Sequence, residues 1–188
     1  MLFFTASCLL SCVTNPPQVA SYYPVDSLLD HQIDALLQSQ ASIRKVGMLD
    51  QKEMKMEFTP DSAAWLKELN VFINLNVLNK SINQGAYEIQ DGTLDTKSNL
   101  KIKSFTAKEN LPVEYLKLFY EGTLSNLRKL EARYSESNSM YESTRFLYME
   151  FEDINNTPLL TYYSIVGGQK MFLGDTVQYT INTAVSIP

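Results

Sequence analysis

The hydrophobic and polar positions of this chain change period along its length, and each change marks an element. From Asp26 to about Ser42, Leu29, Ile33, Leu36 and Leu37 recur at helical spacing with Asp30, Gln32, Asp34 and Gln38 between them. That pattern predicts an amphipathic helix, which Asp26 can cap. From Ile43 to Phe58 the period falls to two, with Met54, Met56 and Phe58 on one face and Glu53, Lys55 and Glu57 on the other. This is a half-buried strand, and it pairs with Ile43 to Leu49 through a turn at Asp50-Gln51. Thr59-Pro60-Asp61 then marks a second helix, with Thr59 as N-cap, Pro60 at the first helical position and Asp61 facing the positive end of the dipole. Its stripe is Trp65, Leu69, Phe72 and Ile73, and it ends near Val77 to Lys80.

From Tyr87 onward the chain reads as strands. Leu100 and Ile102, then Leu116, Leu118 and Tyr120, then Leu130, Ala132 and Tyr134 alternate with polar neighbours. Leu147, Met149 and Phe151 form one face of the next strand, while Tyr148, Glu150 and Glu152 form the other. Strands at Leu159 to Val166, Lys170 to Leu173 and Thr176 to Thr183 follow, the last with Val177, Tyr179 and Ile181 inward. Turn signals fall at Glu121-Gly122, Ser135 to Ser139, Asn155 to Pro158, Gly167-Gly168 and Gly174-Asp175. Short links between consecutive strands imply antiparallel pairing. The predicted fold is α+β: two N-terminal helices and a hairpin packed on a six- to seven-stranded antiparallel meander sheet.

Composition narrows the class. The 188 residues are 45% hydrophobic and 20% charged, which suits one globular domain, placed at 25–188. A net charge of −5, a pI near 4.9 and no basic cluster exclude nucleic acid as a partner. The only cysteines are Cys8 and Cys12, so 25–188 has no thiol for a disulfide or a metal.

Those cysteines sit in Met1 to Cys12, MLFFTASCLLSC, whose apolar run is too short to span a bilayer as a helix, since that takes about 20 residues. Leu9-Leu10-Ser11-Cys12 resembles the lipobox of bacterial lipoproteins, with Cys8 after Thr5-Ala6-Ser7 as an alternative. The resemblance implies a signal peptide at 1–11, cleavage before Cys12, and diacylglycerol plus an acyl chain such as palmitate on that cysteine. Multiple chains anchor firmly, each buried methylene contributing about 0.8 kcal/mol. Residues 12–24, with Pro16, Pro17 and Pro24, then read as an extended tether. The same resemblance implies a sorting signal: in lipoprotein families an Asp after the cysteine favours inner-membrane retention, and here Val13 stands in that place with no acidic or Lys-led surface-export cluster after it. The expected place is therefore the periplasmic face of an outer membrane.

Candidate chemistry is sparse. His31, the only histidine, lies on the polar face of the first helix and reads as solvent-exposed; it cannot build a zinc site alone, and no Gly-x-Ser-x-Gly turn exists to make it a catalytic base. Glu150 and Glu152 share a strand face at about 6.6 to 6.8 Å along the backbone, a separation an inverting glycosidase could use, although any solvated E-x-E, here opposite Lys129 or Arg133, gives the same spacing. Gly167-Gly168 reads as a turn and not a phosphate cradle, since no helix follows. Asp50 and Asp91-Gly92 lack the further ligands of a calcium loop. No cofactor or metal is implied. Phe146, Tyr148 and Tyr162 fall opposite the inward positions of their strands and could line an exposed surface for a glycan, lipid or polypeptide.

The blocks Leu111 to Tyr120 (LPVEYLKLFY), Met149 to Leu160 (MEFEDINNTPLL) and Tyr163 to Met171 (YSIVGGQKM), with the lipobox, are similar to uncharacterised predicted lipoproteins of the Bacteroidetes type. The resemblance implies a location and no activity. The function expected is a lipid-anchored, non-enzymatic binding or assembly module of the cell envelope. A periplasmic carrier holding an apolar ligand between helices and sheet is the alternative, and a glycan hydrolase using Glu150 and Glu152 the third.

Overall fold

A computed structural model describes residues 21–50 and 52–188. Cys8, Cys12 and the expected signal peptide lie outside them. The order is α1 (Val25–Gln38), β1 (Ser42–Leu49), β2 (Lys52–Phe58), α2 (Ser62–Ile73), two 3-10 turns (Asn74–Asn79 and Ser81–Asn83), then β3 (Tyr87–Leu94), β4 (Lys101–Ala107), β5 (Val113–Tyr120), β6 (Leu127–Ser137), β7 (Tyr141–Ile154), β8 (Thr157–Met171) and β9 (Thr176–Ser186).

Among the described residues nine strands form one antiparallel sheet in the order β2-β1-β9-β8-β7-β6-β5-β4-β3. Among the described residues 53% are in strands and 21% in helices, so the fold is mostly β, which overturns the α+β expectation and its six- to seven-stranded sheet. Three features account for the difference. The β1–β2 hairpin forms as the alternation and the Asp50 turn predict, but it joins the main sheet through β9 instead of packing beside it. Tyr87–Leu94 is an additional edge strand. Gly167-Gly168 is no turn: β8 runs straight through it, fusing two expected strands.

Helix boundaries also move. α1 starts after Pro24 without a side-chain cap, and Asp26 sits inside the first turn, accepting from the Ser27 N–H and Asn76 Nδ2. Asp61, not Thr59, caps α2, accepting from the Ala64 N–H at 2.8 Å. A carboxylate in that place satisfies an orphan donor of the first turn, and Pro60 is left outside the helix.

The helices cover one face of the sheet. Val25, Leu29, Ile33 and Leu36 of α1 and Trp65, Leu69 and Phe72 of α2 meet Phe105, Leu116, Leu130, Met149, Leu160 and Tyr163 in one core. Tyr22 and Tyr23, expected in the tether, also pack on this core, and Asn79 holds both their N–H groups. Coverage stops short of the edges. Met54 and Met56, expected inward, are 51% and 56% exposed, and Val177 is exposed as well, whereas Tyr179 and Ile181 pack on the core.

Gln32 was expected on the polar face of α1, yet it is buried and ties the helix to β8. Its Nε2 donates to Pro158 O at 2.9 Å and its Oε1 accepts from the Leu160 N–H at 2.8 Å. The register between β7 and β8 shifts at this point, between Glu150 and Phe151. A bulge leaves backbone groups without ladder partners, and the amide of Gln32 supplies both a donor and an acceptor.

Candidate functional site: the open face of the sheet

The face away from the helices is built by the strand period alone. In β7 the odd positions Leu147, Met149 and Phe151 enter the core, so Glu142, Thr144, Phe146, Tyr148 and Glu150 stand on the other side. Cross-strand partners share a face, which places Val166, Ser164 and Tyr162 of β8 beside Phe146, Tyr148 and Glu150. On the far side of β7, Arg133, Glu131 and Lys129 of β6 lie opposite the same three residues.

The aromatic groups expected to share a surface do so. The Tyr148 and Tyr162 rings meet edge to face with centroids 6.2 Å apart, and the guanidinium of Arg133 lies 5.1 Å from the Phe146 centroid. Polar bonds fix the rings: Tyr162 donates to Asn182 Oδ1 at 2.9 Å, and Tyr148 donates to the Glu150 carboxylate. Burial, and then the hydrogen bond and charge of Glu150, raise the pKa of the Tyr148 hydroxyl, so it remains a neutral donor. Phe146 and Val166 stay 45% and 42% exposed at the centre of the sheet.

Beside Phe146 lies a trough of about 350 Å³, lined by Glu142, Thr144, Val166, Gly168, Lys170 and Gln178. Its floor depends on a missing side chain. A Cβ at Gly168 would lie 2.9 Å from both terminal atoms of Gln178, so the Gln178 amide rests flat on the glycine backbone. Glycine inside a strand commonly marks such a close approach. The sequence carried that signal in Gly167-Gly168, where the turn reading missed it.

Glu150 and Glu152 both belong to this face. The Glu150 carboxylate is engaged by Tyr148, and Glu152 is exposed near the end of β7. Arg133 pairs with Glu114 of β5 at 3.0 Å rather than with either of them. His31 is exposed on α1, beside a groove with Tyr23 and Leu124. Among the described residues no group of three or more His, Cys, Asp or Glu is placed to hold a metal ion, and no helix is long and apolar enough to cross a membrane.

The covered face holds a second cleft, of about 500 Å³, where α2 leaves the sheet, lined by Lys45, Lys67, Glu68, Glu136 and Arg145. Glu68 binds Lys45 and accepts from the Tyr163 hydroxyl at 2.6 Å, and Arg145 pairs with Glu136 at 3.0 Å. The Glu68 contacts tie α2 to β1 and β8, and the Arg145–Glu136 pair ties β7 to β6.

No family model, curated protein or solved structure matches this chain.

Proposed function

We propose that this protein is a non-enzymatic binding module of the bacterial cell envelope, lipid-anchored at Cys12 on the periplasmic face of the outer membrane, and that the open face of its sheet binds a glycan. The observation that carries the ligand is the Phe146 platform beside the Gly168 trough. The Arg133 guanidinium lies over one face of the half-exposed Phe146 ring, and the apolar surface left open is offered to the C–H face of a sugar. Around it Gln178, Thr144, Glu142 and Lys170 supply donors and acceptors within one ligand's width. An acyl chain would leave those polar groups unpaired, and a hydroxyl-rich ligand would not.

The carrier reading has less support. The space between helices and sheet is filled by Trp65, Leu69, Phe72, Leu75 and Leu78, all fully buried, and the cleft beside α2 is lined with charges. The hydrolase reading would need Glu150, whose carboxylate is already engaged by Tyr148.

The test is a titration of the purified protein with a panel of hexose and N-acetylhexosamine oligosaccharides. Binding that Phe146→Ala weakens tenfold or more, with an unchanged melting temperature, is the expected result; no binding by any member sinks the glycan assignment. For the anchor, Cys12→Ser is expected to release the protein from the membrane fraction, and retention there would refute it.

A further inference from the structure

The two edges of the sheet end differently. At one edge β3 is bulged, its register against β4 shifting between Asp91 and Thr93, and a bulge turns an edge away from further pairing. At the other edge β2 keeps an unbroken register with β1 from Lys52 to Phe58, and among the described residues nothing pairs with its outer side. Every residue from Lys52 to Glu57 except Gly-free backbone contacts to β1 stands exposed in its side chain. Such an edge is a template for another strand.

The backbone decides which groups of β2 are open. The Asp50 N–H donates to Gln178 O at 2.9 Å, and backbone groups alternate sides along a strand, so Leu49, Gly47, Lys45 and Ile43 turn theirs towards β2. Their partners Lys52, Met54, Met56 and Phe58 turn inward to meet them. Glu53, Lys55 and Glu57 therefore aim their N–H and C=O groups outward, where no described strand receives them.

The side chains of β2 indicate what does. If a second β2 pairs with it antiparallel about a two-fold axis, the registers that overlap most of the strand have that axis at Met54, Lys55 or Met56. An axis at Lys55 opposes Lys55 to Lys55 and Glu53 to Glu57, all like charges. An axis at Met54 opposes Glu53 to Lys55, but sets Met56 and Phe58 against Lys52 and Asp50. An axis at Met56 opposes Lys55 to Glu57 twice, through the outward backbone groups, and sets Met54 against Phe58 on the other face. Of the three, only the last joins opposite charges on one face and apolar groups on the other. Arg44, already 3.0 Å from Glu57, extends its charged row.

We propose that β2 is a homodimer interface, in which two copies pair edge to edge about Met56 and continue one sheet through both. Met54 and Met56, left exposed by the helices, are then flanked by the Phe58 and Met56 of the second copy. Opposed residues share a face, so both open faces lie on one side. Under the glycan reading this presents two Phe146 platforms to one repeating chain, although the dimer itself does not rest on that reading.

Single cysteines in the full chain carrying Cys8→Ser and Cys12→Ser report the register. Opposed residues whose backbone groups turn away from each other have Cα atoms about 4.5 Å apart, within disulfide reach. Met56→Cys is expected to oxidise to a covalent dimer, whereas Met54→Cys, whose two copies stand on either side of the axis, is not. No covalent dimer at position 56, or equal yields at 54 and 56, overturns the proposal. Sedimentation over a range of concentrations tests the charges. Lys55→Glu and Glu57→Lys are each expected to weaken dimerisation about tenfold, since each opposes like charges twice, and mixing the two variants restores it in mixed dimers. A monomeric parent, single variants that dimerise as well as the parent, or a mixture no better than its components also overturns it. No glycan enters these measurements, so their failure leaves the glycan assignment to its own titration.

Discussion

Gly167 lies directly under the ring of Tyr179: a Cβ at position 167 would come within 2.5 Å of the Tyr179 hydroxyl oxygen and 3.1 Å of Thr144 O. The two are cross-strand partners in β8 and β9, and the hydroxyl held over the glycine accepts from Arg145 Nε at 3.2 Å. Arg145 in turn pairs with Glu136, so one absent side chain lets a tyrosine, an arginine and a glutamate assemble on the covered face.

Gly167→Ala is accordingly expected to destabilise the protein by about 1–3 kcal/mol, the usual cost of overfilling a packed site. Gly47→Ala is the control, because a Cβ there meets only Met54 at 3.9 Å. Urea denaturation of both variants checks this, and equal midpoints would refute the account.

Gln32→Leu removes the tie between α1 and the β8 bulge. It strands the Leu160 N–H and Pro158 O in an apolar setting, which costs about 1–3 kcal/mol per buried polar group. Hydrogen exchange at the Leu160 amide is expected to accelerate more than exchange in β5 or β6.

Removing Glu68 should cost more than removing its partner's hydroxyl. Glu68→Ala leaves Lys45, with its side chain only 20% exposed, facing the cleft unpaired, a loss of about 3 kcal/mol for a largely buried pair. Tyr163→Phe deletes one hydrogen bond, a loss of about 1 kcal/mol. Thermal denaturation of the two single variants gives the ranking, and a larger loss for Tyr163→Phe would contradict it.

Alkali is expected to unfold the protein over a defined window. Burial pushes the Tyr23 hydroxyl up to about 12, and burial with the neighbouring Tyr22 does the same for Tyr87; Tyr148 and Tyr163 are raised too. In each case the folded state holds the phenol proton more tightly than the unfolded state does. The stabilisation is therefore complete below the ordinary value of 10.0 and is lost as pH rises through about 12. Each ring contributes up to about a tenfold loss in the folding constant per pH unit in that interval. Urea midpoints measured across it should fall, and Tyr23→Phe should flatten the decline.

Much of the sheet was legible because alternation is a local property. The inward row Leu147, Met149 and Phe151 and the outward row Phe146, Tyr148 and Glu150 follow from period two alone, and so does the placement of the aromatic residues on one face. What alternation cannot report is which strand lies beside which. Nothing in Ser42–Leu49 says that Ser186 is its neighbour, and so the hairpin was placed apart from the sheet. The glycine pair was misread for a related reason. A turn and a close approach across a strand both call for a residue without a Cβ, and only the partner strand, with Tyr179 and Gln178, distinguishes them. Gln32 was misplaced because a polar residue facing a bulge looks, in sequence, like one facing water.

The adjacency of β1 and β9 has a bearing on how the chain comes to be folded at all. The first hairpin meets its sheet neighbour only when β9 has been synthesised, so no nascent chain that stops short of β9 can complete the sheet. A polypeptide that cannot finish folding as it leaves the ribosome remains threadable for longer. Under the envelope location proposed above, which requires passage through an export channel, late closure would keep the route open.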